Sequence, residues 1–541
     1  MRKKRTSTSL RLLNKAKQAR RPIFAFYPDQ RITKTNRLPP IAPEAIVTMV
    51  TDENNMMSLP LAPLSLNPVA TRTITRYHDS KLPHLSALLD ADFMAAQLQS
   101  LLHASSSTPP SQQGQRQQQL IGCQIKRVKY KPQKNCLVIY QLHLRDRKTG
   151  KTQTIAITCR TYEHHASKRR YHKARQENNG EPSVFPAVFH LPQIETVGWI
   201  FPCERKLLSL SFVNNPHYLK HVLMPPLVKQ VWGDQWQIET VSSAVVHYVP
   251  EHTCMVKVTC TLMNRHHHTR RQQTLFGKCY YNHAGAHTFD IMTQLAEASR
   301  LAQTPLRFPA PLYYDQERKI LWQESLNGQT LRDAGISRES HSSLLPMAAK
   351  ALAQFHCLTL HTNDTPSDHK QLLEHLKNRA KTLRTIKQLN QQKLQWLIHA
   401  LQVGANQLSS YQAVTLHGDA HSQNLFLEQD TIAFIDLDDV TIGHPLLDLA
   451  SWMGGMIYWA TMNKRPLDDF LTELSYFAHH YNQHAPQPIT NYDLNWYIAA
   501  LLVNERIFRC VARLKSGRLE IVADLLVLAK QFAQQQYRLL P

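Results

Sequence analysis

Long apolar runs are missing from this chain. None of its 541 residues lies in a stretch approaching the roughly 18 to 20 apolar residues that a membrane-spanning helix needs. Paired cysteines are missing too. The nine cysteines (Cys123, Cys136, Cys159, Cys203, Cys254, Cys260, Cys279, Cys357 and Cys510) include no Cys-x-x-Cys, are odd in number and are irregularly spaced. That pattern argues against a disulfide framework or a zinc ribbon and for free thiols in a reducing compartment, so a soluble cytoplasmic protein is expected. Acids are scarce: 40 Asp+Glu stand against 63 Lys+Arg, a formal charge of +23. A balance so basic admits nucleic acid, acidic lipid or a polyphosphate as partner. Aromatic content of 8% and the lack of a nucleic-acid motif do not favour the first. A solvated basic surface with a basic tail accounts for the charge equally simply.

What is present falls into distinct stretches. Residues Met1 to Arg37 hold a single acid, Asp29, and read as a basic tail or a targeting segment. Leu38 to Pro68 is Pro-punctuated and expected to be irregular. Leu85, Leu88, Leu89, Phe93, Met94, Leu98, Leu101 and Leu102 recur at helical intervals, which predicts one or two helices. Ser105 to Gln119 is rich in Ser, Pro and Gln and reads as a linker.

An internal repeat follows. Val128-x-Tyr130-x-Pro132-x-x-x-Cys136-x-Val138 recurs as Val246-x-Tyr248-x-Pro250-x-x-x-Cys254-x-Val256, at an offset of 246 − 128 = 118. Leu144, Arg147, Tyr162 and His165 match Leu262, Arg265, Tyr280 and His283 at the same offset. Alternating runs such as Cys254-Met-Val256-Lys-Val258-Thr-Cys260 predict strands. The stretch past Leu344 is instead helical in period, through Leu344, Ala348, Ala351, Leu352, Phe355 and Leu358 and again over residues 366 to 411. Pro445 is placed to open a further helix, and Trp496 to Gln535 supply two more.

The stretch richest in chemistry is Val414 to Ala450. A polar loop, His417 to Asn424, precedes two apolar runs, Leu425–Leu427 and Ile432–Ile435, separated by Glu428-Gln429-Asp430. Two such runs predict a β-hairpin. In an antiparallel hairpin the residue before the first strand lies beside the residue after the second, which brings Asn424 to Asp436. An amide oxygen and a carboxylate suit Mg²⁺, which takes one or two protein groups plus substrate phosphates. Asp419, on the same loop, is placed to face whatever meets a metal-bound phosphate.

His417-Gly418-Asp419, Asn424, Ile435-Asp436, Gly443-x-Pro445 and Asp448-Leu449-Ala450, in this order and spacing, resemble the aminoglycoside phosphotransferase and choline kinase family. The resemblance implies an α+β, bilobal protein-kinase-like fold, with the first copy of the repeat as an additional, degenerate N-lobe-like unit. It divides the chain into a basic irregular segment (1–80), the degenerate lobe (81–235), the kinase-like N-lobe (236–327) and a helical C-lobe (328–541).

It also implies roles. Asp419 would be the catalytic base, and Asn424 and Asp436 the Mg²⁺ ligands. Lys278 would hold ATP phosphates with Glu297 as its helix partner, and Gln323, Glu324 and Leu326 would form the adenine hinge. His417 and Asp448 would brace the loop. Arg160 stands where a second phosphate lysine would be (160 + 118 = 278), so the first copy is expected to hold no nucleotide. Residues Tyr248 to Cys254, the phosphate-covering turn, contain no glycine, which departs from common kinases. The function implied is transfer of the ATP γ-phosphoryl group to a hydroxyl of a small molecule: a sugar, amino sugar, aminoglycoside or amino alcohol. The alternative is a catalytically weak binding or scaffold protein that uses its basic surface for RNA or anionic lipid.

Overall fold

The computed structural model describes residues 79–104, 118–177, 185–336, 343–386, 389–514 and 517–541. The basic stretch to Arg37, the Pro-punctuated stretch to Pro68 and nearly all of the stretch from Ser105 to Gln119 lie outside the described residues.

Period-two patterning builds two five-stranded antiparallel sheets. The first holds β1 (Gln118–Lys131), β2 (Asn135–Asp146), β3 (Thr152–Tyr162), β4 (Val188–Leu191) and β5 (Thr196–Ile200) in the order β1-β2-β3-β5-β4. The second holds β6 (Trp236–Val249), β7 (Thr253–Asn264), β8 (Arg270–Tyr280), β9 (Pro311–Asp315) and β10 (Ile320–Glu324) in the order β6-β7-β8-β10-β9. Adding 118 to the bounds of β1, β2 and β3 returns those of β6, β7 and β8. The first bulge recurs as well: pairing slips between Leu120 and Gly122 in β1 and between Ile238 and Thr240 in β6.

Strand β7 buries Cys254, Val256, Val258, Cys260 and Leu262 and turns the intervening residues outward, as expected of a strand with one face in a core. Strand β2 is buried on both faces from Cys136 to Leu142 because two layers cover it. One face packs under α1 (Ala91–Ala104), with Leu98 and Leu102 against Val138 and Tyr140. The other places Leu137 and Ile139 in one core with Val256 and Leu275 of the second sheet. Residues on both sides of position 235 therefore share a core.

A helix crosses the second sheet, α2 (Ala284–Leu301), and buries Thr288, Ile291, Met292, Leu295 and Ser299 on one stripe. After β10 the chain is mainly helical. The large lobe holds α3 (Leu344–His356), α4 (His369–Leu383), α5 (Gln391–Gly404), α6 (Leu446–Met462), α7 (Leu467–Asn482), α8 (Asn491–Leu501), α9 (Phe508–Arg513) and α10 (Val522–Ala533). Pro445 caps the start of α6. The expected hairpin forms as β13 (Leu425–Glu428) and β14 (Thr431–Phe434), joined on one edge by β11 (Gln329–Thr330). Strands β12 (Val414–Leu416) and β15 (Thr441–Gly443) pair across the base of the polar loop. A small sheet lobe followed by a helical large lobe is the bilobal, protein-kinase-like plan. Among the described residues, no helix is long and apolar enough to cross a membrane.

Candidate active site

The hairpin register sets the site. Leu425 pairs with Phe434, and beyond that pair the Ile435 N–H donates to the Asn424 carbonyl at 2.9 Å. The residues flanking the hairpin, Asn424 and Asp436, thus meet at one end of it. Asp436 holds a left-handed backbone, φ 58° and ψ 59°, which aspartate tolerates better than most residues. The turn it makes points the chain into Leu437-Asp438-Asp439, so four polar residues of this region line the same cleft.

The loop before the hairpin is held from beneath by a buried carboxylate. Asp448, in the first turn of α6, accepts from the His417 N–H at 2.6 Å and from the Gly418 N–H at 3.0 Å. A carboxylate near a helix N-terminus is also favoured by the helix dipole. His356 of α3 lies 3.3 Å from the same carboxylate and takes Tyr481 on its other ring nitrogen at 2.6 Å. The His417 ring is fully buried between Phe355 and Phe434, and its Nε2 lies 3.0 Å from the Ile435 carbonyl. With Nε2 as donor, Nδ1 accepts from the Asp419 N–H at 3.4 Å. Gly418 has φ +81°, and a Cβ there would come within 2.1 Å of the Asp439 carbonyl oxygen, so only glycine fits.

Asp419 projects from this braced loop. Its carboxylate lies 3.6 Å from His421 Nε2 and 3.8 Å from Arg509 of α9. Burial opposes its charge, but His421, Arg509 and His417 outweigh that and bring its pKa down to about 2. Asn424 donates its side-chain amide to the Asp419 carbonyl at 3.0 Å, which leaves the amide oxygen as its atom available to a cation.

Lys278 enters from β8 of the second sheet, paired with Met255 on one side and Leu321 on the other. Its ammonium donates to Asp436 and, at 2.8 Å, to Asp438. Burial would lower its pKa, but these two carboxylates prevail and push it up to about 12. Asp438 also accepts from the Tyr280 hydroxyl at 2.6 Å and from Thr288 at 3.1 Å. Gln323, Glu324 and Leu326, from β10 and the segment after it, line the same cleft.

Glu297 is not brought to this site. It faces solvent and pairs with Arg300 at 2.6 Å. The physical reason is helical phase: two residues beyond the buried Leu295 lies roughly 200° around the helix, on the opposite face. From α2 it is Thr288 that reaches the Lys278 cluster, through Asp438.

Three participants were not singled out by sequence reasoning. Asp438 stands two positions after Asp436 with no motif of its own, and only its contacts to Lys278, Tyr280 and Thr288 distinguish it. His421 stands inside the motif stretch but carries no signal of its own. Arg509 lies 90 positions after Asp419 (509 − 419 = 90), and nothing local marks it. The cleft measures about 1850 Å³.

The glycine-free turn is held from outside. Glu251, at φ 60°, accepts on its carboxylate from Arg160 at 2.8 Å and from Arg205 at 3.4 Å. Its N–H donates to Glu204 at 2.8 Å. The left-handed conformation that glycine would adopt freely is secured here by three side chains.

Residues 282–481 match the model of a family described as the phosphotransferase enzyme family (APH). No curated protein matches the chain. Among solved structures, similarity extends to a protein of Ralstonia eutropha JMP134 described as an aminoglycoside phosphotransferase. It has 15% identity and a TM-score of 0.40, covering 58% of this chain and 98% of that one. Choline kinase from Cryptosporidium parvum Iowa II is similar at 10% identity and a TM-score of 0.37, covering 58% and 94%. A thermostable mutant of aminoglycoside phosphotransferase APH(4)-Ia, in a ternary complex with AMP-PNP and hygromycin B, is similar at 11% identity and a TM-score of 0.38, covering 58% and 98%.

Proposed function

We propose, from the match of residues 282–481 to the phosphotransferase enzyme family, that this chain transfers the γ-phosphoryl group of ATP to a hydroxyl of a small molecule. The observation that carries the reading is the convergence of Lys278, Asp436, Asn424 and Asp419, drawn from a sheet strand and a hairpin loop, on one cleft lined also by Gln323 and Glu324. Phosphoryl transfer needs little covalent help from the protein and much positioning and charge neutralisation, which such a set supplies.

In this reading Lys278 binds the α- and β-phosphate oxygens, with Tyr280 and Thr288 holding Asp438 and so the ammonium's approach. The donor set fits Mg²⁺: one carboxylate from Asp436 and one amide oxygen from Asn424, hard oxygen ligands few enough to leave room for phosphates and water. Bound there, Mg²⁺ would supply the positive charge that neutralises phosphate oxygens. Asp419 accepts a hydrogen bond from the acceptor hydroxyl and aims its oxygen at phosphorus. As the new O–P bond forms and the bond to the β-phosphate's bridging oxygen breaks, the hydroxyl proton passes to the Asp419 carboxylate. A carboxylate with a pKa of about 2 is a weak base, so that proton moves late. This suits a loose transition state, in which the nucleophile needs aim more than activation. His417 and Asp448 hold the loop and touch neither reactant.

The test is ATP consumption by the purified chain with Mg²⁺ against a panel of hydroxyl compounds, alongside calorimetry with Mg·ATP. Saturable, acceptor-dependent ADP release that is lost in Asp419→Asn is expected. Absence of Mg·ATP binding would end the proposal.

A further inference from the structure

The cleft is too large for a nucleotide alone, and the part beyond Asp419 is walled by arginines. Single-ligand sites measure roughly 300 to 1,000 Å³, against about 1850 Å³ here. The basic lining comes from two stretches far apart in the chain. Arg127 and Lys129 come from β1 of the first sheet, Arg509 and Arg513 from α9, and Arg518 from the segment after it. Helix α9 packs against β1, so the two arginine-bearing elements are neighbours.

The counter-charges do not follow them. Within the lining, Asp436 and Asp438 are taken by Lys278, Glu473 by Arg465, and Glu324 lies nearest Arg307. Asp439 makes no ion pair among the described residues, and burial together with the neighbouring Asp419, Asp438 and Asp436 raises its pKa, which disfavours its charge. Arg509 has Asp419 at 3.8 Å. Among the described residues, Arg127, Arg513 and Arg518 make no ion pair, although each is only half-exposed. Arg518 rests instead on the Tyr458 ring, 5.6 Å from its centroid. Burial, and then the charges of Arg509, Arg127 and Arg518, bring the Arg513 guanidinium down to about 10. Cations gathered in a partly desolvated wall without anions repel one another and lose hydration. That cost is offset when an anionic ligand enters. The residue choice agrees, because arginine's planar fork suits bidentate binding of phosphate and carboxylate better than a lysine does.

A solvated basic surface is the bland reading, and the second sheet speaks against it. At the offset of 118, Lys126, Arg127 and Lys129 correspond to Ala244, Val245 and His247. Val245 and His247 line the same cleft as Arg127 and Lys129, so the two strands present equivalent positions to it, and only the first sheet's strand fills them with guanidinium and ammonium groups. The basic run is thus particular to the strand of the first sheet.

We infer that the acceptor is an alcohol carrying an anionic group, phosphate or carboxylate, which Arg127, Arg513 and Arg518 bind while its hydroxyl meets Asp419. The inference rests on the phosphotransferase reading for the hydroxyl and on the arginine wall for the anion. The first sheet, which holds no catalytic loop of its own, then supplies one side of the acceptor pocket.

Matched pairs decide it. ATP consumption is measured with glycerol against glycerol 3-phosphate and glycerate, with ribose against ribose 5-phosphate, and with choline and kanamycin as cationic controls. The anionic member of a pair is expected to exceed its neutral twin by roughly 100-fold in kcat/KM, as loss of charge-assisted hydrogen bonds implies. The phosphate and carboxylate arms tell which anion is taken. Arg127→Gln and Arg513→Gln should each raise the acceptor's KM by about tenfold, with the KM for ATP within about twofold of wild type. Neutral or cationic compounds used as well as anionic ones would overturn the inference, as would arginine variants that change the KM for ATP instead.

A binding experiment covers an acceptor absent from the panel. With saturating Mg·AMP-PNP, calorimetric titration with inorganic phosphate and with malonate should show one site, weakened about tenfold in Arg513→Gln. No binding of either anion sinks the inference. Failure of Mg·AMP-PNP to bind, with arginine-dependent phosphate binding intact, would instead sink the phosphotransferase reading alone.

Discussion

Arg160 of β3 donates to Glu251 at 2.8 Å across 91 positions of chain, and Glu251 sits in the turn that faces the cleft from the second sheet. The lysine-equivalent position of the first sheet thus holds not a phosphate but a neighbouring carboxylate. Glu251 has its charge favoured by Arg160 and Arg205 despite burial that opposes it. Both side chains of the pair are mostly buried, at 17% and 14% exposure, so the contact is screened less than a surface bridge.

Glu251→Ala leaves two guanidinium groups without their anion, at a cost of roughly 1–3 kcal/mol. The turn should loosen, and the KM for ATP should rise by about tenfold with a smaller change in kcat. A double-mutant cycle with Arg160→Ala is expected to be strongly non-additive. Unaltered KM in both single variants would mean that the pair joins the sheets without shaping the turn.

Asp419→Asn should reduce kcat by roughly 10² to 10⁴-fold, the range for loss of a positioned acid–base group. Its side chain extends into the cleft and supports no core packing. The thermal midpoint and the affinity for Mg·ATP should therefore stay near wild type, which calorimetry checks. Turnover within a few-fold of wild type would remove Asp419 from the reaction.

Asp436→Ala should abolish the Mg²⁺ dependence of nucleotide binding, because the amide of Asn424 is a neutral ligand. The variant also frees Lys278 from one of its two carboxylates. Some metal-independent nucleotide affinity is therefore expected to persist. Titration of ATP with and without Mg²⁺ separates the two effects, and an unchanged metal dependence would make the hairpin end purely structural.

Gly418→Ala tests the loop rather than the chemistry. The substitution places a methyl 2.1 Å from a backbone oxygen at a φ of +81°. The loop must shift away from Asp439, and activity should fall about as far as in Asp419→Asn, with a lowered thermal midpoint as well. Full activity would show that the 417–424 segment adapts freely.

The pH dependence follows from Asp419. Its folded pKa of about 2 lies below the ordinary 3.8, so its contribution to stability is present above 3.8 and lost as pH falls through 2. The carboxylate therefore stays ionised throughout the working range, and kcat should show no acid limb from Asp419 above about pH 4.5. Arg509→Gln removes one of the charges holding it down and should raise its pKa. A wild-type limb between about pH 5 and 6 that moves upward in Arg509→Gln would contradict this assignment.

Local pattern was enough for the hairpin and for the meeting of the two residues that flank it. Asn424 and Asp436 flank two short apolar runs, and antiparallel pairing leaves them no other arrangement. The same holds for the strands of both sheets, for the α6 start at Pro445, and for Arg160 and Lys278 standing 118 residues apart. In each case the determining interaction lies within one element or one turn, so periodicity and turn chemistry carry the information. Glu297 shows where analogy misled: the buried stripe of α2 was itself legible, and it places residue 297 on the outer face.

What only the tertiary structure decided is which distant groups meet. Asp438 displaces Glu297 as the partner of Lys278, 160 positions away (438 − 278 = 160). Arg509 reaches Asp419, Arg160 reaches Glu251, and Arg127 lines the same wall as Arg513. Each contact depends on how finished elements dock, and docking is set by apolar surfaces whose composition many arrangements satisfy. A charged side chain's own neighbourhood in the chain says that it needs a partner, but not which one.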